Sequence, residues 1–445
     1  LVVALVLVEL VLPFYNELVD EKLSIDFSSP LFWLTSITIV LVTGIFSGSY
    51  PAFFLSSFNP VKVLKGKLQA GKTATAPRQV LVVVQFIFSI SLIIITIAVY
   101  NQIQFAKERQ LGYDKQNLIT VPDNEELSKN YSAIKLSLME TGLATSLVKT
   151  NSPITDIYEI NYLDWPGNPL DKMFLTNIFT DYDYCKTMGI KLVQGRDFSP
   201  EFATDSSAVI LNQTAIDMMG FKEPIGTEIS IGGDKLKIIG ITEDIVMTSP
   251  YEPVDPMYVK MEKKWTGLSD QRNITIRLSD SKNLEKVEAV FKKYNPNYPF
   301  EFAFVDEEFD RKFSSLNLIA KLTNVFALLA IVIACLGLFG LAAFTAEQRK
   351  KEFGVRKVLG ASLSSLVVLI SRDFSRLIMT AFFMACPFVW WASTNFLEQY
   401  PYHISFNWWT LPITGGIVIL ISISIVCTQA LKAAMSNPVE ALKNE

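Results

Sequence analysis

The sequence predicts a polytopic α-helical membrane protein with an α+β domain outside the membrane. Hydrophobic residues make up 50% of the 445 residues and charged residues only 19%, below the roughly 25% of soluble domains. The apolar residues are concentrated in about six runs of membrane-spanning length. A long polar region, at about residues 103–318, separates the third run from the fourth and mixes strand patterns with helix patterns.

Five apolar runs contain no Asp, Glu, Lys or Arg, and each is long enough to cross the bilayer, which takes about 20 helical residues. Backbone groups in lipid have no water to bond, so these runs must be helices. A sixth span is predicted at residues 1–15, although Glu9 interrupts it and an ionisable group inside a membrane is costly. The uninterrupted runs are residues 31–55, 80–100, 322–346, 377–397 and 408–431.

The orientation of the spans follows from Lys and Arg, which accumulate in short cytoplasmic loops. The connection between the second and third spans and the one after the fourth are basic, so both are predicted to be cytoplasmic. The other two short connections are acidic or aromatic and are predicted to be external. The long polar region therefore lies outside. The basic residues are Lys62, Lys65, Lys67, Lys72 and Arg78 in the first connection and Arg349, Lys350, Lys351, Arg356 and Lys357 in the second.

The external region is predicted to be an α+β domain. Asp280 can cap a helix that runs to about Tyr294, and the residues 232–234, Gly-Gly-Asp, predict a hairpin turn. A strand after this helix would complete a strand–helix–strand unit. Apolar or alternating patterns predict strands at residues 118–121, 235–241, 273–278 and 300–305.

Both edges of the external region predict helices that continue past the membrane. Residues 103–111 extend the third span, and Phe309, Phe313 and Leu316 recur at helical spacing ahead of the fourth. Paired extensions of this kind would form a stalk that joins the domain to the bilayer. Ordinary linker helices that pack on the domain fit the same pattern equally well.

Composition argues against three classes of function. A net charge of -4 and a pI of 5.4 provide no basic face for nucleic acid. The chain has one histidine, His403, and four cysteines, so a metal centre or a His-dependent hydrolase lacks candidate residues. We therefore expect no cofactor in this chain and no residue that performs covalent chemistry.

One stretch satisfies a nucleotide-binding pattern in the wrong context. Residues 66–73 fit GxxxxGK[ST], the phosphate loop of many NTPases. That loop works between a strand and a helix of a nucleotide-binding domain, whereas this one lies in a short basic connection before a membrane span. A membrane-anchored NTPase that uses Gly71, Lys72 and Thr73 remains a minor alternative, which predicts that this polypeptide binds nucleotide by itself.

The chain also contains the trace of an internal repeat. Residues 59–65, NPVKVLK, match residues 437–443, NPVEALK, and both follow an apolar span. Pro13 with Phe14 likewise matches Pro387 with Phe388 in the preceding spans. The first two spans are therefore predicted to end an earlier copy of the later unit, and we expect the sequence to be the C-terminal part of a longer chain.

The segment that follows the fourth span is the most informative. Its charges have the i,i+4 spacing of a short surface helix, as between Glu352 and Arg356. Three apolar residues lie among them: Phe353, Val355 and Val358. They predict an edge that docks on a partner protein, and the open alternative is a juxtamembrane helix that lies on anionic lipid.

Several motifs are shared with a known family. Residues 347–362 read EQRKKEFGVRKVLGAS, and LISRDF at 369–374 and the terminal NPVEALK follow. The external region adds GRDF at 195–198, VILN at 209–212, PIG at 224–226 and IIGI at 238–241 with Asp244. Together they resemble the MacB/FtsX-like permeases of ABC transporters, particularly the two-repeat form common in Bacteroidetes-type bacteria, and the external motifs are similar to that family's periplasmic core domain.

The resemblance covers essentially the whole chain and implies its organisation. The implied segments are the last two transmembrane helices of a first FtsX-like repeat (1–56), a basic cytoplasmic connector (57–78), a transmembrane helix (79–102), a MacB-like periplasmic core domain with a helical stalk (103–318) and an FtsX-like permease domain with three transmembrane helices (319–445).

The resemblance also implies a site. Residues 347–361 would be a coupling segment seated on a separate cytoplasmic ABC ATPase dimer, which would bind the ATP and Mg²⁺, so the chain itself is expected not to be an enzyme. The implied coupling residues are Glu347, Arg349, Lys350, Lys351, Glu352, Phe353, Gly354, Val355, Arg356, Lys357, Val358 and Gly360, and the stalk residues are Phe309, Phe313 and Leu316.

The leading hypothesis is a permease subunit in the bacterial inner membrane, which transmits movement from that ATPase to a periplasmic domain for export or envelope mechanotransmission. Its expected partners are the ATPase dimer, the lipid bilayer and a periplasmic protein or adaptor, with no nucleic acid. The alternative is a membrane sensor that regulates a periplasmic partner. Nothing in the sequence identifies a cargo, since a fold does not fix a substrate.

Overall fold

The chain divides into two compact units, each described here by itself. The membrane unit comprises Leu1–Tyr100, Leu316–Thr394 and Phe406–Glu445, and the external unit comprises Asn101–Ser315 and Asn395–Ser405. The phosphate-loop-like stretch, both NPV segments and residues 232–233 of the predicted turn lie outside the described residues. The computed structural model describes residues 1–56, 76–167, 173–231, 234–262, 272–349, 352–353, 355–356 and 359–435.

Helices and strands are numbered here in chain order over the described residues. The helices are α1 (Val2–Val19), α2 (Pro30–Ser56), α3 (Ala76–Lys107), α4 (Glu125–Glu140), α5 (Tyr184–Met188), α6 (Gln213–Met219), α7 (Leu284–Tyr294), α8 (Val305–Arg311), α9 (Ser314–Gln348), α10 (Leu363–Leu397) and α11 (Thr410–Met435). The strands are β1 (Leu118–Pro122), β2 (Ala144–Thr150), β3 (Ile160–Asp164), β4 (Phe174–Thr180), β5 (Leu192–Gly195), β6 (Ala208–Asn212), β7 (Glu228–Ile231), β8 (Asp234–Thr242), β9 (Met257–Met261), β10 (Asn273–Leu278) and β11 (Ala303–Phe304).

Within the described part of the chain, six helices are long and apolar enough to cross a membrane, namely α1, α2, α3, α9, α10 and α11. This confirms the predicted class of polytopic membrane protein. The last four share one apolar core, in which Ile90, Ala334, Ala381 and Val389 are fully buried. The apolar windows of α1 and α2 contribute no buried residue.

Glycines allow close approaches within this bundle. A Cβ added at Gly415 of α11 would lie 2.5 Å from the Phe382 ring of α10. One added at Gly337 of α9 would lie 2.6 Å from Gln85 Oε1 of α3. Real Cβ atoms do not come this close, so a side chain at Gly415 would have to displace the Phe382 ring, whereas the flexible end of Gln85 can move away from a side chain at position 337.

The first lobe of the external unit is a closed ring of six strands. Their order is β4-β3-β7-β8-β6-β9, and the ring closes because β9 pairs with both β6 and β4. The pairing of Ile231 with Asp234 confirms the hairpin predicted between β7 and β8. Val209, Leu211 and Ile238 fill the interior and are fully buried.

The second lobe is an open antiparallel sheet of order β11-β1-β10-β2. Helices α4 and α7 pack on it, and Ile134, Val287 and Ile274 form part of the shared core. The connections β1-α4-β2 and β10-α7-β11 make a split strand–helix–strand arrangement. One register pair, Thr150 with Thr180, joins this sheet to the ring through β2 and β4.

Most predicted elements of the external unit are confirmed, and two are corrected. The strands at 118–121, 235–241 and 273–278 correspond to β1, β8 and β10. The strand expected at 300–305 shrinks to Ala303–Phe304. The continuous helix expected through Phe309, Phe313 and Leu316 is broken, because α8 ends at Arg311 and α9 begins at Ser314.

Candidate coupling site and stalk

The segment between α9 and α10 continues helical hydrogen bonding beyond the end of α9. Phe353 N donates to Arg349 O at 2.9 Å, and Leu359 N donates to Val355 O at 3.0 Å. Gly360 then adopts a φ of 92°, a left-handed conformation that glycine adopts without strain. The chain can therefore turn sharply from this segment into α10.

Ser362 begins α10 as its cap. Its Oγ accepts from Ser365 N at 3.3 Å, which satisfies one of the amide groups that a helix start leaves without an intrahelical partner. The turn at Gly360 and this cap define the end of the candidate coupling segment.

Two ion pairs shape the charges of the segment. Arg356 Nη2 lies 2.6 Å from Glu352 Oε1, which confirms the i,i+4 pairing expected for a short helix. Arg349 Nη2 lies 2.9 Å from Asp373 Oδ2 on α10. The second pair connects the segment to the neighbouring helix, and both pairs are about half exposed.

Phe353 requires a correction. It was expected to fill a groove on a partner, but its side chain is only 3% exposed and packs in the membrane unit's own core with Leu366 and Phe374. Its apolar neighbours face the other way: Val355 is 48% exposed and Leu359 is 80% exposed. Phe353 therefore anchors the segment, and Val355 and Leu359 present its free apolar surface.

The remaining implied residues fall into two groups. Glu347, Glu352, Arg356 and Gly360 are exposed, and Arg349 is half-buried. Lys350, Lys351, Gly354, Lys357 and Val358 lie outside the described residues. Leu359 was missed by sequence reasoning, since it falls between the charged run and the glycine.

The predicted stalk residues are all buried. Phe309 and Phe313 are at most 1% exposed and meet edge to face at 5.2 Å between ring centroids. Lys107, at the end of α3, lies 5.4 Å from the Phe313 ring centroid. Leu316 is 6% exposed. The extension of α3 and the start of α9 thus meet through a cation–π contact.

Lys312 occupies the break between α8 and α9. Its ammonium donates to the carbonyls of Thr155, Met247 and Thr248. Glu308 binds one of the same residues, because its Oε2 accepts a hydrogen bond from Thr155 Oγ1 at 2.8 Å. Burial lowers the pKa of Lys312 to about 8. The negative charges of Asp156 and Glu308 act in the other direction and raise this pKa, but by less than burial lowers it.

Sequence reasoning also missed a junction around Gln102, which is fully buried. Its Nε2 donates to Tyr402 O at 2.9 Å and its Oε1 accepts from Ile404 N at 3.0 Å. Residues 395–405, which comprise the last three residues of α10 and most of its connection to α11, belong to the external unit. No local pattern could have identified this contact, because its partners are about 300 positions apart in the sequence.

The described residues offer no metal centre. Within the ranges that the structure describes, no group of three or more His, Cys, Asp or Glu side chains is placed to hold an ion.

The six membrane-length helices of the described residues and the α+β external unit define a polytopic membrane protein with a large domain outside the membrane. The chain matches two family descriptions: the MacB-like periplasmic core domain over residues 80–294 and the FtsX-like permease C-terminal domain over residues 324–438. It belongs to the MacB/FtsX-like permeases of ABC transporters, which are multi-pass proteins of the inner membrane with a periplasmic domain. The external unit is accordingly called the periplasmic unit from here on.

Curated relatives of this chain are also described as permeases. The uncharacterized ABC transporter permease YknZ of Bacillus subtilis is 22% identical over 59% of this chain and 68% of its own length. The macrolide export ATP-binding/permease protein MacB of Bartonella henselae is 21% identical over 41% of this chain. The chain spans 29% of the length of that protein.

Solved structures are similar as well. The periplasmic region of MacB from Actinobacillus actinomycetemcomitans has 16% identity and a TM-score of 0.33, over 45% of this chain and 94% of that one.

Proposed function

We propose that this chain is the permease subunit of an ATP-driven transporter and transmits movement between a separate cytoplasmic ATPase dimer and the periplasmic unit. ATP and Mg²⁺ bind to that partner, and this chain performs no hydrolysis. The movement serves export or mechanical work in the envelope, and a periplasmic protein or adaptor completes the assembly.

The observation that carries the proposal is the arrangement of the segment 347–361. Phe353 is 3% exposed and fixed in the helix core, whereas Val355 and Leu359 project outward at 48% and 80% exposure. An exposed apolar pair among charges favours a protein partner, since apolar anchors supply binding energy and rim charges supply orientation. Because Phe353 and the Arg349–Asp373 pair connect the segment to the bundle, a force applied there passes to α9 and α10.

Co-purification from native membranes in mild detergent tests the docking. The complete protein should bring down an ATPase subunit, and Val355→Asp combined with Leu359→Asp should abolish it. Val193→Asp is the matched control, because Val193 on β5 is 50% exposed and lies in the periplasmic unit. Phe353→Asp is unsuitable here, because it would place a charge in the core.

Two outcomes would contradict the proposal. An ATPase retained by the double variant at the wild-type level would remove the docking surface from residues 355 and 359. No ATPase with any form of the protein would favour the sensor alternative, which predicts activation of a bound periplasmic protein instead of substrate-stimulated ATP turnover.

A further inference from the structure

We infer that residues 395–405 are a further point at which the periplasmic unit is connected to the membrane helices, in addition to α3 and α9. Within this unit, Gln102, Arg109 and Tyr402 are positioning residues that pass movement of α3 to the rest of the unit. The inference rests on the proposed function for its transmission and on contacts within the periplasmic unit for its attachment. It assigns a role to the connection between α10 and α11, which the proposed docking site does not include.

The first support is chain connectivity. The chain passes between the two units at residues 100–101, 315–316, 394–395 and 405–406. Helices α3, α9 and α10 supply the first three passages, and the connection between α10 and α11 supplies the fourth. The periplasmic unit is therefore connected to all four helices that share the bundle core.

The second support is Gln102. A buried amide is costly unless its donor and acceptor groups are both satisfied, and the amide of Gln102 satisfies both on the backbone of residues 402 and 404. No shorter or apolar side chain on α3 reproduces this pair of bonds. These two hydrogen bonds therefore fix the end of α3 relative to the segment 395–405.

The third support is the stacking around Tyr402. Its ring stacks on Phe105 of α3 at 4.6 Å between centroids, and the Arg109 guanidinium lies 4.3 Å from the same ring centroid. Aromatic and cation–π contacts of this kind depend on ring placement and not only on buried area. These two contacts therefore fix the position of the Tyr402 ring relative to the end of α3.

The fourth support extends the junction into the body of the periplasmic unit. Arg109 Nη1 donates to Pro250 O at 2.8 Å and to Glu252 O at 2.7 Å. Tyr402 N donates to Tyr251 O at 2.9 Å. The Tyr251 ring lies 5.2 Å from Tyr400 and 5.6 Å from Phe313, at the start of α9. One cluster therefore joins α3, the start of α9, residues 249–253 and residues 395–405.

The mechanical consequence follows from these contacts. A displacement of α3 along its axis carries Gln102 with it and pulls on Arg109, two residues beyond the end of the helix. The hydrogen-bond partners of both side chains are backbone groups, which cannot yield by rotating a side chain. Residues 249–253 precede β9, which closes the six-stranded ring. Movement of α3 is therefore delivered to the ring directly and to α10 and α11 through residues 395–405.

The test uses hydrogen exchange measured by mass spectrometry on the complete protein, alone and with its co-purified ATPase. Gln102→Leu keeps the side-chain size and removes both bonds, and Gln104→Leu, two residues away on the same helix, is the matched control. We expect Gln102→Leu to speed exchange in residues 249–253 and 395–405 by roughly tenfold, with β1 and β10 unchanged. Tyr402→Leu, a milder change of a half-buried residue, should do the same to a smaller extent.

The second readout separates transmission from mere support. In the wild-type complex, a non-hydrolysable ATP analogue should alter exchange in β9, and in Gln102→Leu this response should disappear while the ATPase still co-purifies. Unchanged exchange at residues 395–405 in both variants would overturn the attachment. If residues 249–253 and 395–405 exchange faster in Gln102→Leu but the nucleotide still changes exchange in β9 as in the wild type, the transmission role would be overturned. Absence of an ATPase from the wild type would instead overturn the proposed function and the transmission with it, and exchange in the chain alone would still decide the attachment.

Discussion

The coupling segment and the Gln102 junction lie in different units and are built on opposite principles. The coupling segment has one buried apolar anchor, Phe353, and leaves Val355 and Leu359 exposed. In the junction, the polar groups of Gln102 bond the protein's own backbone. A surface that must accept another protein keeps its apolar groups free, whereas a connection inside one chain satisfies its polar groups internally.

The largest effect should come from the anchor of the coupling segment. Phe353→Ala removes a buried aromatic ring and leaves a cavity, which costs about 3–5 kcal/mol in the free energy of unfolding. Val355→Ala, two positions along the same segment, should change it by less than about 0.5 kcal/mol. Thermal unfolding of the purified protein in detergent measures both. If the two variants changed the free energy of unfolding equally, Phe353 would not be an anchor distinct from the exposed residue Val355.

A smaller effect should appear with pH at Lys312, the buried ammonium between α8 and α9. Its pKa in the folded protein is about 8, below its ordinary value of 10.5, so the folded state releases the proton first as pH rises. The contribution of Lys312 to the free energy of unfolding should therefore be constant below pH 8 and increase by about 1–3 kcal/mol between pH 8 and pH 10.5.

Lys312→Met supplies the reference for this measurement, because it cannot titrate at this position. The difference in unfolding free energy between the wild type and Lys312→Met should rise across that window. A difference that falls instead would mean that the three carbonyls hold the proton more strongly than burial expels it.

The smallest effect should come from the half-exposed pair of Arg349 and Asp373. A double-mutant cycle with Arg349→Gln and Asp373→Asn should give a coupling of about 0.2–1 kcal/mol, because solvent screens exposed ion pairs. Raising the salt to about 1 M should reduce it further. A coupling above about 2 kcal/mol, measured by the same unfolding assay, would make this pair and not Phe353 the main link between the segment and α10.

Much of the fold could be predicted from the sequence because its signals are local. Uncharged runs of membrane length predicted the helices, and alternating apolar residues predicted β8 and β10. The resemblance of residues 347–362 to a known family likewise depended on a contiguous run. In each case the residues that carry the information are neighbours in the sequence.

The errors occurred where two structures share one local pattern. An apolar residue among charges can dock on a partner or turn back into its own core, and Phe353 does the second. The spacing of Phe309, Phe313 and Leu316 fits an unbroken helix as well as two helices separated by Lys312. The junction of Gln102 with Tyr402 depends on residues distant in sequence, which no periodicity reports.

The join between the two lobes of the periplasmic unit has a further consequence. The open sheet and the closed ring share one register pair, Thr150 with Thr180, whereas β2 pairs with β10 over six residues and β4 pairs with β9 over five. Two backbone hydrogen bonds flank this pair, from Asn151 N to Phe179 O and from Asp181 N to Lys149 O, both at 3.2 Å, so the strands of the two lobes are paired over a short stretch. We therefore expect a pull on the ring to change the angle between the lobes before it disturbs the packing inside either of them.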